Sequence, residues 1–172
     1  MPGSRDSIIH TDGRTHRLRL RPADRVDTEA FEAAAAAALA ISGPDAVAPL
    51  ERAEALWGGE PLPEERYAEW TFGWRERLTD RYTHVLTALT RAYTLAGQGE
   101  DALRTARKWV ELDPLNESAQ RELIIGYARA GRRDHALRQF LACRRALVEE
   151  LGIEPSEATR RLQEQVLAGT AV

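Results

Sequence analysis

The sequence of 172 residues contains one cysteine, Cys143, and one lysine, Lys108. A single cysteine excludes an internal disulfide and a cage of several thiolates around a metal ion. No apolar run is long enough to cross a bilayer, and no apolar signal core follows the polar first residues. We therefore expect a cytoplasmic protein with no membrane partner.

Motifs that carry catalysis are also missing. The sequence has no glycine-rich phosphate loop, no Gly-x-Ser-x-Gly turn and no His-Glu-x-x-His pair. His10 and His16 could face each other across a hairpin, but no third ligand is close in sequence. Glu149 and Glu150 are adjacent in a helical segment, so their carboxylates point about 100° apart and cannot share acid-base work. We predict a protein that is not an enzyme and needs no metal or cofactor.

Residues 1–25 differ from the remainder of the chain. Asp12-Gly13 favours a tight hairpin turn, and leucine then alternates with arginine as in a strand with one apolar face. This segment carries six arginines and three aspartates, a net charge of +3. Arg14, Arg17 and Arg19 are its candidates for contact with nucleic acid phosphates.

Two later segments have strong charge of opposite sign. Residues 45–69 carry a net charge of −5, and residues 121–145 carry a net charge of +5. Solvated helix faces explain both runs. The alternative is that the two patches bind a partner, or each other across a homodimer.

From residue 26 onward the pattern is helical. Asp27 is the expected N-cap of a first helix, with Val26 and Phe31 as a hydrophobic staple. Between about residues 64 and 96, apolar residues recur every three or four positions, beginning with Trp70 and Trp74. This period predicts one long helix with a buried face.

An internal repeat of 34 residues is the most informative feature of the sequence. "AYTLAGQGEDAL" and "GYARAGRRDHAL" have the same order of tyrosine, glycine, alanine and leucine. Glycine permits the left-handed conformation that ends a helix, and the small alanine permits a returning helix to cross closely. The four matched pairs are Tyr93 and Tyr127, Gly97 and Gly131, Ala102 and Ala136, and Leu103 and Leu137.

Helix pairs of this length resemble tetratricopeptide repeats. Leu86 and Gln120 replace the early tryptophan of that pattern, and residues 31–57 form a weaker first pair in which Gly43 and Ala48 match the later glycine and alanine. We predict an all-α solenoid of helical hairpins with a closing helix. Such a solenoid leaves a concave surface free for binding.

Longer stretches resemble one family, the bacterial transcriptional activator domain of Streptomyces-type antibiotic regulatory proteins. These stretches are "LWGGEPLPE", "WRERL", "LDPLNESA" and "ALRQFLACRRALVEELGIEPSEATRRLQEQVL", of which "EELGIEPS" is the most specific. The resemblance assigns residues 26–169 to that domain. In the family, the domain follows a winged helix whose last hairpin is similar to "IIHTDGRTHRLRL". Residues 1–25 are thus expected to be a remnant of that winged helix, without the helix that reads DNA.

The resemblance implies a protein-interaction and regulatory domain of a transcription activator. Its partners would be RNA polymerase or a second copy of the chain, and DNA would be bound only through the linked winged helix. In the family's arrangement the first helices of the repeats line the concave face. This face would then form a basic groove that binds an acidic peptide or carboxylate. Its candidate residues are His84, Thr87, Arg91, Arg121 and Arg129.

Two alternatives remain open at this point. The same fold serves as a sensor or scaffold domain of a signalling ATPase in this family group. A direct, non-specific nucleic-acid binder would use the basic hairpin and residues 121–145, although the chain as a whole has a net charge of −3.

Overall fold

Helices dominate the computed structural model, which describes residues 9–18, 26–65 and 67–170. Three short 3-10 turns, Pro44–Ala46, Pro63–Glu65 and Glu69–Thr71, lie in the connections between the first three α-helices. The strands and α-helices, in chain order, are β1 (Ile9–Asp12), β2 (Thr15–Leu18), α1 (Asp27–Leu39), α2 (Val47–Ala55), α3 (Phe72–Leu95), α4 (Gly99–Leu112), α5 (Glu117–Arg129), α6 (Arg133–Leu151) and α7 (Glu157–Ala168).

The helices form three consecutive pairs and a closing helix. Helix α1 packs on α2, α3 on α4, and α5 on α6, while α7 lies against α5 and α6. Each pair also contacts the next through α2 with α3 and through α4 with α5. The predicted all-α solenoid is confirmed.

Strands β1 and β2 form the predicted hairpin. They pair antiparallel, with Ile9 opposite Leu18 and Asp12 opposite Thr15. Gly13 lies in the turn with a φ of 58°, a conformation that glycine adopts without steric cost. The Asp-Gly pair therefore has the role that the sequence indicated.

The two copies of the repeat end their first helices in the same way. The backbone N–H of Gln98 donates to the carbonyl of Tyr93, and that of Arg132 donates to the carbonyl of Tyr127, both at 2.9 Å. Gly97 and Gly131 precede these donors with φ values of 74° and 72°. This is the Schellman closure, which satisfies carbonyls that the helix end would otherwise leave unpaired.

The repeated tyrosines also link neighbouring pairs. The Tyr93 hydroxyl donates to the Glu51 carboxylate on α2, and Arg107 on α4 donates to the Tyr127 hydroxyl at 3.0 Å. Burial, together with the Glu51 carboxylate, raises the pKa of Tyr93 to about 12. Each tyrosine thus fixes the first helix of its pair to the second helix of the preceding pair.

Gln120 occupies a buried position where the repeat pattern commonly has tryptophan. It is 2% exposed. Its amide nitrogen donates to the Pro114 carbonyl at 2.7 Å, and its amide oxygen accepts from Gln139 at 2.6 Å. Because both ends of the amide are hydrogen-bonded, a polar side chain is accommodated between α5 and α6.

The first helix pair departs from the sequence prediction in two details. Val26 is the N-cap of α1, and Asp27 is the first helical residue, where its carboxylate accepts from the Thr28 N–H at 2.8 Å. Ala46, at 2% exposure, is buried, whereas Ala48 is exposed. The 3-10 turn Pro44–Ala46 shifts the register of this pair, so its match to the later repeats at Gly43 and Ala48 was wrong.

Helix α3 begins later than the periodicity indicated. Trp74 packs partly buried against the core, but Trp70 lies in a 3-10 turn before the helix and is 73% exposed. The assignment of Trp70 to the buried stripe was therefore wrong. The buried face of α3 runs instead from Leu78 to Tyr93.

Candidate functional site

A groove lies between the first helices of the second and third pairs, α3 and α5. Its volume is about 420 Å³. The N-terminal turn of α4 closes one end, since Gly99 and Glu100 contribute to the lining. We call this surface the α3–α5 groove; its principal lining residues are Thr90, Thr94, Glu100, Glu122, Ile125, Gly126 and Arg129.

Of the five candidate residues, the structure places Arg129 in the lining of the groove. Arg129 is exposed and lies one turn beyond Ile125 on α5. Thr94 of α3 contributes to the same lining as Arg129. Both first helices therefore contribute to the lining at this end of the groove.

The three candidates on α3 follow the same helix toward its N-terminus. His84 and Arg91 are exposed, and Thr87 is half-buried with its hydroxyl donating to the Thr83 carbonyl at 2.8 Å. Their spacing places them on the helix face that carries Thr94. They extend the face beyond the groove and do not form its lining.

Arg121 contacts α7 and does not line the α3–α5 groove. Its guanidinium donates to the Thr159 hydroxyl at 3.2 Å and to the Ser118 hydroxyl at 3.0 Å. Arg129 lies eight positions further along α5, a distance of about 12 Å along the helix axis. Arg121 therefore has a structural role at the end of the solenoid.

The same place contains a cluster that the sequence analysis did not identify. The Glu117 carboxylate accepts from the Ser156 N–H at 2.9 Å, from the Ser156 hydroxyl at 2.7 Å and from the Thr159 hydroxyl. Burial opposes ionisation of Glu117, but these hydrogen bonds and the Arg121 charge outweigh it and hold its pKa below the usual range. A side chain of α5 thus caps the N-terminus of α7, where Ser156 makes no side-chain cap of its own.

The electrostatic lining of the α3–α5 groove is mixed. Glu100 and Glu122 contribute carboxylates to the same lining as the Arg129 guanidinium. Arg132 pairs with Glu100 at 2.6 Å. The lining therefore contains a cation and two carboxylates around an apolar centre at Ile125, and it is less basic than the sequence indicated.

The hairpin candidates are only partly described. Arg14 is exposed at the turn between β1 and β2. Arg17 belongs to β2, but its side chain lies outside the described residues, as does Arg19 as a whole.

Cys143 lies on α6 and is fully buried. Burial, with a smaller contribution from Glu117, raises the pKa of its thiol to about 11. In the described ranges, no group of three or more His, Cys, Asp or Glu residues is placed to hold a metal ion. None of the helices in this part of the chain is long and apolar enough to cross a membrane.

Comparison with known proteins identifies the family. The model of the bacterial transcriptional activator domain matches residues 26–167. The solved structure of Mycobacterium tuberculosis EmbR in complex with a low-affinity phosphopeptide is similar in fold, with a TM-score of 0.68 at 22% identity over 96% of this chain and 44% of that chain.

Two curated relatives are transcriptional regulators. The transcriptional regulator RedD of Streptomyces coelicolor is 30% identical over 72% of this chain and 35% of its own length. The transcriptional regulatory protein MoaR1 of Mycobacterium tuberculosis is 25% identical over 94% of this chain and 53% of its own length. The chain thus spans about half or less of these relatives. From the family match and the helical-hairpin fold, the chain belongs to the bacterial transcriptional activator domain family.

Proposed function

We propose that the chain is a protein-binding regulatory domain of a bacterial transcription activator, acting in the cytoplasm. Residues 26–169 would form the binding unit, and a linked winged helix would read DNA. The partner would be RNA polymerase or a second copy of the chain. The proposed function involves no catalysis and requires no metal or cofactor.

The observation that carries the proposal is the α3–α5 groove. In a stack of helix pairs, the second helices are engaged with the next pair, and the first helices keep one face available. Here that face contains an apolar side chain, Ile125, beside the Arg129 guanidinium and the Glu122 carboxylate. An apolar centre with a few polar groups around it suits a peptide segment.

The mixed charge of the lining favours a protein over nucleic acid as the partner. Phosphate binding depends on clustered cations and loses affinity steeply with salt. Glu100 and Glu122 would lie against the phosphates. A peptide whose apolar side chain covers Ile125 and which carries charges of both signs fits the lining better.

The proposal is tested by tethering the chain to a heterologous DNA-binding module upstream of a weak bacterial promoter. We expect transcription above that given by the module alone, or self-association of the chain in sedimentation velocity. Absence of both would overturn the proposal. So would strong binding of the chain by itself to duplex DNA that falls steeply with salt, because it would favour the nucleic-acid alternative.

A further inference from the structure

A second exposed surface lies at the other end of the solenoid, where the α2–α3 connection meets the first half of α3. Its walls include three aromatic side chains, Trp57, Tyr67 and Phe72, around a groove of about 790 Å³. Tyr67 is 89% exposed and Phe72 is 61% exposed. Large aromatic side chains that remain this exposed together indicate a binding surface.

One wall of this groove is fixed by the core. The Trp57 ring stacks on Tyr82, with centroids 4.4 Å apart and planes 7° apart, and it also contacts Phe31 at 5.2 Å. Phe31 and Tyr82 are buried. Trp57 is therefore positioned before any partner arrives, which lowers the entropic cost of binding at this side chain.

The remaining lining is acidic. It contains four carboxylates, Glu60, Glu76, Asp80 and Glu111, and one guanidinium, Arg75. Arg75 is paired with Glu60. Glu76, Asp80 and Glu111 are exposed, and within the described ranges neither Glu76 nor Asp80 forms an ion pair or a side-chain hydrogen bond. Glu111 interacts electrostatically with Arg107. We call this surface the acidic aromatic groove.

Exposed aromatic side chains and exposed carboxylates both attract the same kind of ligand. A cation is stabilised over the face of an aromatic ring and by nearby carboxylates. The carboxylates repel nucleic acid and an acidic peptide. We propose that the acidic aromatic groove binds a cationic segment of another protein, in which Lys or Arg alternates with apolar side chains.

This binding site is separate from the one in the proposed function. The α3–α5 groove uses the C-terminal half of α3, from Thr90 onward, whereas the acidic aromatic groove uses α3 only as far as Asp80. Failure of one site therefore leaves the other untouched.

The experiment uses the full chain and two fluorescently labelled peptides, one of alternating Lys and Leu and one in which every Lys is replaced by Glu. Fluorescence anisotropy measures affinity, and the indole N–H signals in an NMR spectrum of the ¹⁵N-labelled chain report where the peptide binds. We expect the Lys peptide to bind at least about tenfold more tightly than the Glu peptide at low salt. The Trp57 signal should move, and the signal of Trp109, which is 4% exposed, should not.

Two variants and one matched control locate the contact. The double change Glu76→Arg and Asp80→Arg should weaken the Lys peptide about tenfold or more, and Phe72→Ala should weaken it several-fold. The control, Glu149→Arg with Glu150→Arg, also reverses two exposed charges, here on α6 outside this groove, and should have little effect.

Three results would overturn the proposal. The first is equal binding of both peptides. The second is a loss of affinity in the Glu149→Arg and Glu150→Arg control as large as that in the Glu76→Arg and Asp80→Arg variant, because the effect would then depend on net charge alone. The third is self-association of the chain that is abolished by Phe72→Ala, because the occupant would then be a second copy.

Discussion

Replacing Glu117 by alanine tests how the last helix is held. The carboxylate accepts three hydrogen bonds from Ser156 and Thr159, and it supplies the cap that α7 otherwise lacks. Loss of an N-cap costs about 1 kcal/mol, and hydrogen bonds to a charged group contribute about 1.5–3 kcal/mol each when buried. Since Ser156 is exposed, we expect a net loss of about 2 kcal/mol in the free energy of unfolding.

The assay is thermal unfolding followed by circular dichroism. In a chain of this size, a loss of about 2 kcal/mol lowers Tm by about 4–8 °C. Glu117→Gln keeps an acceptor without the charge and should lose about half as much. The control is Glu149→Ala, which removes an exposed carboxylate and should stay within about 0.5 kcal/mol of the parent chain.

The pH dependence gives a second check on Glu117. Its pKa is lowered in the folded chain from the ordinary value of 4.5, so the folded state holds the proton less tightly than the unfolded state. The stabilisation is therefore complete above the ordinary pKa and is lost as pH falls through the lowered one. The difference between the parent chain and Glu117→Gln should shrink in that acid range. A Tm of Glu117→Ala equal to that of Glu149→Ala, or a difference that persists unchanged to about pH 2, would refute the role of the carboxylate.

Three further predictions concern the repeats and the thiol. Leu86→Ala, at a fully buried position, should cost about 2–5 kcal/mol in urea unfolding, and a cost below about 1 kcal/mol would contradict its place in the core. Gly97→Ala and Gly131→Ala should each lower the free energy of unfolding by about 1 kcal/mol, because φ is positive at both glycines. Gly99→Ala, at a position with open space around it, should be neutral or stabilising. Equal effects at all three positions would contradict the helix-end geometry. Cys143 should not react with a thiol reagent at about pH 8 until the chain unfolds, and rapid reaction of the folded chain would show that the thiol is accessible.

The repeat was predictable because its signals are local. Glycine at the helix end and tyrosine four residues earlier recur at Gly97 and Gly131, and the structure places both copies in the same geometry. The family resemblance, carried by stretches such as "EELGIEPS", is confirmed by the match over residues 26–167. Local backbone requirements of this kind can be read from one sequence.

The boundaries near the first pair were harder to predict because short 3-10 turns interrupt the helical period. The stripe that begins at Trp70 continues through Trp74, but the chain at Trp70 is not yet in α3. The same effect shifts the buried alanine from Ala48 to Ala46. A periodic pattern does not distinguish one tight turn from the first turn of a helix.

The candidate residues of the groove followed from the family resemblance, and their role in binding stays a prediction. The resemblance predicted that Arg129 lies on the concave face, and the structure places Arg129 in the lining of the α3–α5 groove, one turn beyond Ile125. The resemblance could not show that the Arg121 guanidinium donates a hydrogen bond to Thr159, because these two residues are 38 apart in sequence. The Glu117 cap of Ser156 spans 39 residues and likewise has no local signal.

The most direct test of the proposed function is charge reversal in the α3–α5 groove in the tethered transcription assay and in sedimentation velocity. Arg129→Glu should lower activation or self-association severalfold. Its Tm should fall by no more than about 4 °C, because Arg129 is exposed and the interactions of an exposed charge contribute about 1 kcal/mol or less. Arg52→Glu makes the same charge change on an exposed position of α2 outside the groove and should leave both readouts unchanged. Equal behaviour of the two variants would contradict the assignment of this groove as the partner-binding surface.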